Sequence, residues 1–439
     1  MNLKKWIFIG TVLLVSCQTQ KKEESQSYFN GYWQQQGEGE IVSFNDSLVT
    51  SYYYSQFNCY PNWQITREYF DSEVNQLNRI DENTFSNSAG FTKHIYKRLK
   101  EKPALCQLLT ETQKTNNTYN FETLWHTFNE QYAFFKERNI DWRRLKEKYQ
   151  KQFTDETPAF EFFLVLEKMI LELNDEHSDI DVPEEFSIQW RRQFKDKDTT
   201  NYQELAQYGI LKKYVKGVKE YNDEQFYCGL ITPQLGYIHF NHMEDEEGIH
   251  EIAEAIKKQL QNTDYCIIDL RFNGGGYDQA GLDFLSNFIN KPYKAYTKKR
   301  RFKAGYAAQQ TITIEPSENP YTKPVYLLTS VATVSAAETA VLATLNFTHF
   351  KRVGANTNGA LSDMLEKKLP NGWLYTLSNE VYETMNGDLY EVTGIPPDYS
   401  IDYPGDEDEF YKYVYHQLES GDEAIEKIRA QQNNVINNK

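Results

Sequence analysis

Two junctions between apolar strands and turns constrain the fold of this chain most. Tyr265 to Leu270 is a nearly continuous apolar run that suits a strand buried on both faces, and it runs straight into Arg271-Phe272-Asn273-Gly274-Gly275-Gly276. Val325 to Leu328 is a second such run, leading through a loop rich in Ser and Thr to Ser335-Ala336-Ala337-Glu338, where a helical pattern begins. Leu235 to Phe240 reads as an earlier strand, Glu247 to Leu260 as an amphipathic helix, and a further helix is predicted from about Gln279. Strands alternating with helices predict a largely parallel sheet with crossovers. Both junctions then lie at carboxyl ends of strands, where such sheets bind ligands.

Each junction has two readings. Three glycines permit positive φ and bring bare N–H groups close to a ligand, which suits a phosphate cradle, an oxyanion hole or simply a tight turn. No Gly-Lys-Ser or Gly-Lys-Thr follows, so a P-loop is not supported. Ser335 with Glu338 forms a capping-box pattern. At a helix N-terminus Ser335 is also placed as a nucleophile, with the N–H of Ala336 and the helix dipole available to a developing oxyanion. Gly-x-Ser-x-Gly is absent.

Upstream, residues 29–112 read as a small β domain: Ile41 to Phe44, Leu48 to Tyr54 and Trp63 to Tyr69 are rich in β-branched and aromatic residues. The polar run Asn116 to Asn120 reads as a boundary. Residues 119–175 then form a helical bundle, with Phe121, Leu124, Phe128 and Tyr132 at helical spacing, a second helix through Trp142 and Tyr149, and a third opened by Thr157-Pro158. The bundle ends in Asn174-Asp175-Glu176-His177-Ser178, and residues 406–439 read as an acidic surface helix and tail.

Residues 1–17 carry Lys4 and Lys5, then the apolar run Trp6 to Val15, then Ser16-Cys17. This resembles a bacterial lipoprotein signal with Cys17 as the lipidated residue, and residues 18–28 are polar enough for a flexible tether. A protein anchored in this way hangs from a bacterial membrane, the outer membrane by expectation, facing the periplasm or the surface. The net charge of −16 disfavours nucleic acid as a partner. Cys59, Cys106, Cys228 and Cys266 show no metal-ligand spacing, so no metal is expected. Cys59 with Cys106 is the favoured disulfide, since both fall in the N-terminal region.

Asp269-Leu270-Arg271-Phe272-Asn273-Gly274-Gly275-Gly276, followed by Thr333-Val334-Ser335-Ala336-Ala337-Glu338, resembles the S41 peptidases, the family of the C-terminal processing peptidases and the tricorn core. Leu173-Asn174-Asp175-Glu176-His177 is similar to the family's Leu-x-Asp-Gly-His segment. Glu391-Val392-Thr393-Gly394-Ile395-Pro396-Pro397-Asp398 is similar to its closing Glu-Gly-x-Gly-Ile-x-Pro-Asp segment. The resemblance implies an α+β multidomain chain in which residues 176–405 form an α/β core of crotonase or ClpP-like type.

One branch of the family takes its general base from a lysine in a Phe-Gly-Lys-Gly segment, where this chain reads Ala355-Asn356-Thr357-Asn358-Gly359. The tricorn branch takes it from the histidine segment. The resemblance therefore implies Ser335 as nucleophile, His177 as base and Glu391 as the carboxylate that orients it, with Gly275 and Ala336 as the oxyanion hole and Glu338 ordering the site. Glu176 stands where the tricorn pattern has a serine, so it competes with Glu391 for contact with the base. The implied activity is cofactor-free endoproteolysis of peptides or unfolded segments; the alternative is an inactive surface lipoprotein that binds peptide or glycan. The stretch from His177 to Leu235 is short for a PDZ domain.

Overall fold

In the computed structural model, which describes residues 28–73, 77–194 and 200–437, the chain builds four sheets and the helices that cover them. Cys17 and the tether up to residue 27 lie outside the described residues. The first sheet is antiparallel and is made of β1 (Gly31–Gln35), β2 (Glu40–Phe44), β3 (Leu48–Tyr54), β4 (Cys59–Thr66), β5 (Asn78–Arg79), β6 (Thr84–Ala89) and β7 (Thr92–Leu99). Its order is β4-β3-β2-β1-β7-β6-β5. Trp33, Val42, Phe44, Val49 and Phe85 point to one face, where Phe29 and Phe70 complete the core. The aromatic run Trp63 to Tyr69 is not one strand. Strand β4 stops at Thr66, whose hydroxyl accepts from Tyr69 N at 3.2 Å, and Arg67–Glu73 is helix α1, which buries Phe70. Tertiary burial overrides the β preference of those residues.

Cys59 is disulfide-bonded to Cys106 across a sequence separation of 47, tying the tail of the N-terminal unit to β4. Closing a loop of that length typically contributes about 2–4 kcal/mol. A Cys59→Ser/Cys106→Ser variant is therefore expected to lose urea resistance by that amount. Cys228 and Cys266 are free and buried.

The polar run at 116–120 is a helix start rather than a linker: after α2 (Glu111–Thr115), Asn116 caps α3 (Asn117–Gln131) by accepting from Tyr119 N at 2.7 Å. Helices α4 (Trp142–Tyr149) and α5 (Ala159–Leu171) pack with α3 through Phe121, Leu124, Phe128, Phe162 and Leu166. Asn174, at φ 51°, then turns the chain through His177 into the short strand β8 (Ile180–Asp181). Between there and the main sheet lie α6 (Glu184–Phe194), α7 (Tyr202–Tyr214) and the strands β9 (Lys216–Tyr221) and β10 (Phe226–Thr232).

The central sheet has the order β21-β17-β16-β12-β11-β10-β9. Strands β11 (Leu235–Phe240), β12 (Tyr265–Asp269), β16 (Val325–Thr329), β17 (Phe350–Gly354) and β21 (Tyr399–Ser400) run parallel, while β9 and β10 add an antiparallel edge. Helices α8 (Ile249–Gln259), α9 (Asp278–Ser286) and α10 (Ala336–Thr344) are the crossovers on one face, where they build the largest core. A long strand, β13 (Tyr293–Phe302), pairs with β14 (Gly305–Tyr306), β15 (Gln310–Ile314) and β20 (Glu380–Glu383). Strands β18 (Met364–Lys368) and β19 (Leu374–Ser378) join β8 in a small sheet beside the bundle.

The acidic C-terminal segment is not a surface helix. It breaks at Gly421 into α11 (Glu407–Gln417) and α12 (Glu423–Asn437), and Phe410, Val414, Ala424, Ile425 and Ile428 cover the other face of the central sheet. Its charges mask an apolar stripe at helical spacing.

Candidate active site

Strands β12 and β16 are parallel neighbours, with Asp269 opposite Leu328, so the two junctions leave the sheet side by side. They are stitched together: Ser330 Oγ donates to Arg271 O (2.6 Å), Thr333 Oγ1 to Leu270 O (2.8 Å) and Val334 N to Asn273 O (3.0 Å). Those hydroxyls serve the loop. Ser335 differs from them. It adopts φ 57° and ψ −124°, a conformation that L residues rarely hold and that costs on the order of 1–3 kcal/mol. An ordinary N-cap sits in the extended region, so capping alone does not account for this backbone.

Glu338, fully buried one turn into α10, reaches back to Ser335 N (3.3 Å) and accepts from Gly359 N and Ala360 N at 2.8 Å each. It pins the 359–360 loop to the serine turn. Burial pushes its carboxyl up to about 7 against the donors of Thr357, Gly359, Ala360 and Ser335.

Gly275 is packed against the serine. A Cβ added there would stand 2.7 Å from Ser335 Cβ and 3.0 Å from Ala336 N, and its φ is 100°. Its N–H, however, is already donated to Asn273 Oδ1 at 2.9 Å, so Gly275 supplies close approach and not a free oxyanion donor. The next glycine, Gly276, lines a cleft of about 310 Å3 together with Ser335, Tyr277, Asp278 and Asp363. Among the described residues neither Gly276 N–H nor Ala336 N–H has an acceptor.

His177 is buried and enters from the turn before β8. Its N–H donates to Asp175 Oδ1 at 3.0 Å, and the same carboxylate accepts from Ser378 Oγ (3.0 Å) and Ser178 Oγ (3.0 Å). Its Nδ1 is buried without a partner, and among the described residues the imidazole makes no hydrogen bond to Ser335 or to a carboxylate. Burial pushes its pKa down, with Asp175 opposing and Arg138 assisting, so the ring is held neutral.

Glu391 is buried but does not touch the imidazole. Its Oε1 accepts from Arg138 Nη2 (2.7 Å) and its Oε2 from Leu361 N (2.9 Å). Arg138 also approaches Asp175 at 3.8 Å. A continuous set of contacts therefore joins the two ends of the site: Ser335 N to Ala360 O (3.2 Å), the next residue Leu361 to Glu391, Glu391 to Arg138, Arg138 to Asp175, Asp175 to His177. Glu176 is exposed and faces a different groove, beside Glu167 and Asp179. Arg138 and Asp175 are the residues that sequence reasoning missed. Asp175 lay inside the histidine segment; Arg138 sits in an unpatterned turn after α3 and gave no signal.

Burial and the adjacent Asp175 push Glu391 up to about 8 despite Arg138. With folded values of about 8 for Glu391 and about 7 for Glu338 against an ordinary 4.5, the folded chain keeps protons that the unfolded chain has released. The stability these protons confer is fully present below 4.5 and is lost as pH rises through 7 and 8. Urea unfolding at about pH 5 and about pH 8.5 is expected to show the decline, of a few kcal/mol at most, and Glu391→Gln is expected to flatten it.

The site is thus a strained serine at a strand-to-helix turn of a parallel sheet, packed on a glycine turn from the neighbouring strand. Residues 234–401 match the model described as Peptidase family S41, and residues 113–170 match the Tricorn protease C1 domain. His177 lies between the two matched segments, and the N-terminal sheet lies outside both. A carboxyl-terminal-processing protease of Picosynechococcus sp. is 28% identical over 170 residues, which are 38% of this chain and 38% of that protein, so the match spans well under half of the curated relative. A putative peptidase from Parabacteroides merdae shares the fold with a TM-score of 0.57, 21% identity and coverage of 66% of this chain and 91% of the other. Mature CPAF in complex with lactacystin aligns with a TM-score of 0.53 at 11% identity, over 70% and 98% of the two chains.

Proposed function

We propose that this protein is a serine endopeptidase that hydrolyses peptide bonds in peptides or unfolded protein segments, outside the cytoplasm and tethered through a lipid on Cys17. The observation that carries the reading is the backbone of Ser335, held at positive φ on a cleft that Gly276 also lines, with the N–H groups of Gly276 and of the adjacent Ala336 unbonded among the described residues. Strain of this kind persists where function requires it.

In the proposed reaction His177 takes the proton of Ser335 Oγ as the oxygen attacks the peptide carbonyl carbon. The carbonyl oxygen becomes an oxyanion between Ala336 N–H and Gly276 N–H, and the imidazolium returns its proton to the leaving amine. A water molecule then hydrolyses the acyl-serine by the same steps. A depressed histidine pKa suits this role, because the base must begin neutral. Arg138, Asp175 and Glu391 position His177; they do not react. Catalytic hydrogen bonds often close only when substrate fills the site, and this reading requires the Ser335–His177 bond to form in that way. Net charge −16 leaves nucleic acid as a poor partner.

The open contact also suits an inactive peptide-binding relative, so the deciding test is turnover. The soluble chain from Tyr28 is incubated with a denatured protein mixture and new termini are sequenced. New termini that disappear with His177→Ala support the peptidase reading; none from the unsubstituted chain, or equal cutting by the variant, overturns it.

A further inference from the structure

The N-terminal sheet, which lies outside the S41 match, forms part of the wall of the proposed cleft. The turn between β6 and β7 places Gly90, Phe91 and Thr92 on the same cleft as Ser335. It is fixed there by Lys298 Nζ donating to Thr92 Oγ1 (2.6 Å) and by a reciprocal pair, Lys93 N to Gln310 Oε1 (2.9 Å) and Gln310 Nε2 to Lys93 O (2.6 Å). Beyond the turn, β7 and β13 line a second cavity of about 290 Å3, and Lys298 is common to the linings of both spaces.

The charge of this second cavity runs against that of the molecule. Lys93, Lys97, Lys298, Lys299 and Arg300 line it against one carboxylate, Glu380, in a chain whose net charge is −16. The cations on the β13 side are neutralised: Lys298 by Glu380 (2.9 Å), Arg300 by Glu380 (2.6 Å) and Glu38 (3.0 Å), Lys299 by Glu383 (2.7 Å). On the β7 side, Lys93 and Lys97 project from the same face of the strand, are exposed, and among the described residues have no ion-pair partner. Asp278 and Asp363 lie within electrostatic reach of Lys298 on the Ser335 side, so the positive charge left unpaired in the cavity lining is that of Lys93 and Lys97.

We propose that this cavity is a substrate subsite that binds a carboxylate of the peptide, supplied by an acidic side chain or by the C-terminus, while the scissile bond lies at Ser335. This deepens the peptidase reading and rests on it. It makes the N-terminal sheet a substrate-selecting element, with Lys93 and Lys97 as the residues that read the charge.

The test uses the chain from Tyr28 carrying Ser335→Ala and three fluorescent peptides of otherwise identical sequence: one with two glutamates and an amidated terminus, one with glutamines in their place and an amidated terminus, and one with glutamines and a free terminal carboxylate. Anisotropy at low salt is expected to show one of the anionic peptides binding about tenfold tighter than the neutral one, and which of them does so identifies the source of the carboxylate. That preference is expected to vanish in Lys93→Glu/Lys97→Glu and to fade at about 0.5 M salt. Equal binding of all three peptides, or a preference that survives the double charge reversal, overturns the subsite. Cleavage by the unsubstituted chain is scored separately: no hydrolysis with carboxylate-selective binding removes the peptidase reading and leaves the cavity, while hydrolysis without selectivity removes the cavity alone.

Discussion

Replacing Ser335 by alanine is expected to lower kcat by on the order of 10^6, to the level of the uncatalysed background plus whatever the oxyanion donors retain. The same position tests the capping explanation. If Ser335 were only a helix cap, Ser335→Ala would cost about 1 kcal/mol of stability and leave turnover untouched, and Ser335→Gly would be nearly neutral. With φ at 57°, the positive-φ strain is shared by every L residue and relieved by glycine alone. Ser335→Gly is therefore expected to be as inactive as the alanine variant yet more stable than the unsubstituted chain, by about 1 kcal/mol in urea unfolding. An active Ser335→Ala protein would remove the nucleophile assignment outright.

The second large effect is expected at Arg271, which is fully buried just before the glycine turn. Its guanidinium donates to Asp269 through Nε (3.0 Å) and Nη2 (2.7 Å), to Asp422 Oδ2 (2.8 Å) and to Tyr403 OH (3.1 Å). Asp422 in turn accepts from Ile425 N at 2.9 Å at the start of α12, so a single side chain pins the C-terminal helices to the glycine junction. Arg271→Leu leaves two buried carboxylates with no cation and is expected to cost about 3–5 kcal/mol, read from the urea midpoint. Arg271→Leu combined with Asp269→Asn and Asp422→Asn removes the stranded charges and is expected to recover part of that loss. If Arg271→Leu alone unfolds at the same urea concentration as the parent, the pair-breaking argument is wrong.

The parts of this fold that the sequence disclosed are those encoded locally. Tyr265 to Leu270 and Val325 to Leu328 are too apolar to be anything but buried strands, and the Asn-Gly-Gly-Gly and Ser-Ala-Ala-Glu segments mark where they end. The helices of the bundle followed from apolar spacing for the same reason. What was not legible depends on partners remote in sequence. Nothing around Arg138 distinguishes it from Arg143 or Arg144, and its importance comes from Glu391 and Asp175 folding against it. Gly275 and Gly276 are equivalent as letters, yet Asn273 occupies the amide of one and leaves the other free. The acidic tail misled because Glu and Asp dominate its composition while Phe410, Val414, Ile425 and Ile428 decide its burial.

The hydrogen bond from Arg138 to Glu391 closes over a sequence separation of 253, and it bears on how the protein is made. As a nascent chain lengthens on the ribosome, His177 and then Ser335 are synthesised well before residue 391 exists, so an unfinished polypeptide carries both side chains without the contact that ties Arg138 to Glu391. If the proposed reaction holds, hydrolytic competence arrives only with the last part of the core, and a chain truncated ahead of Glu391 is expected to show no turnover.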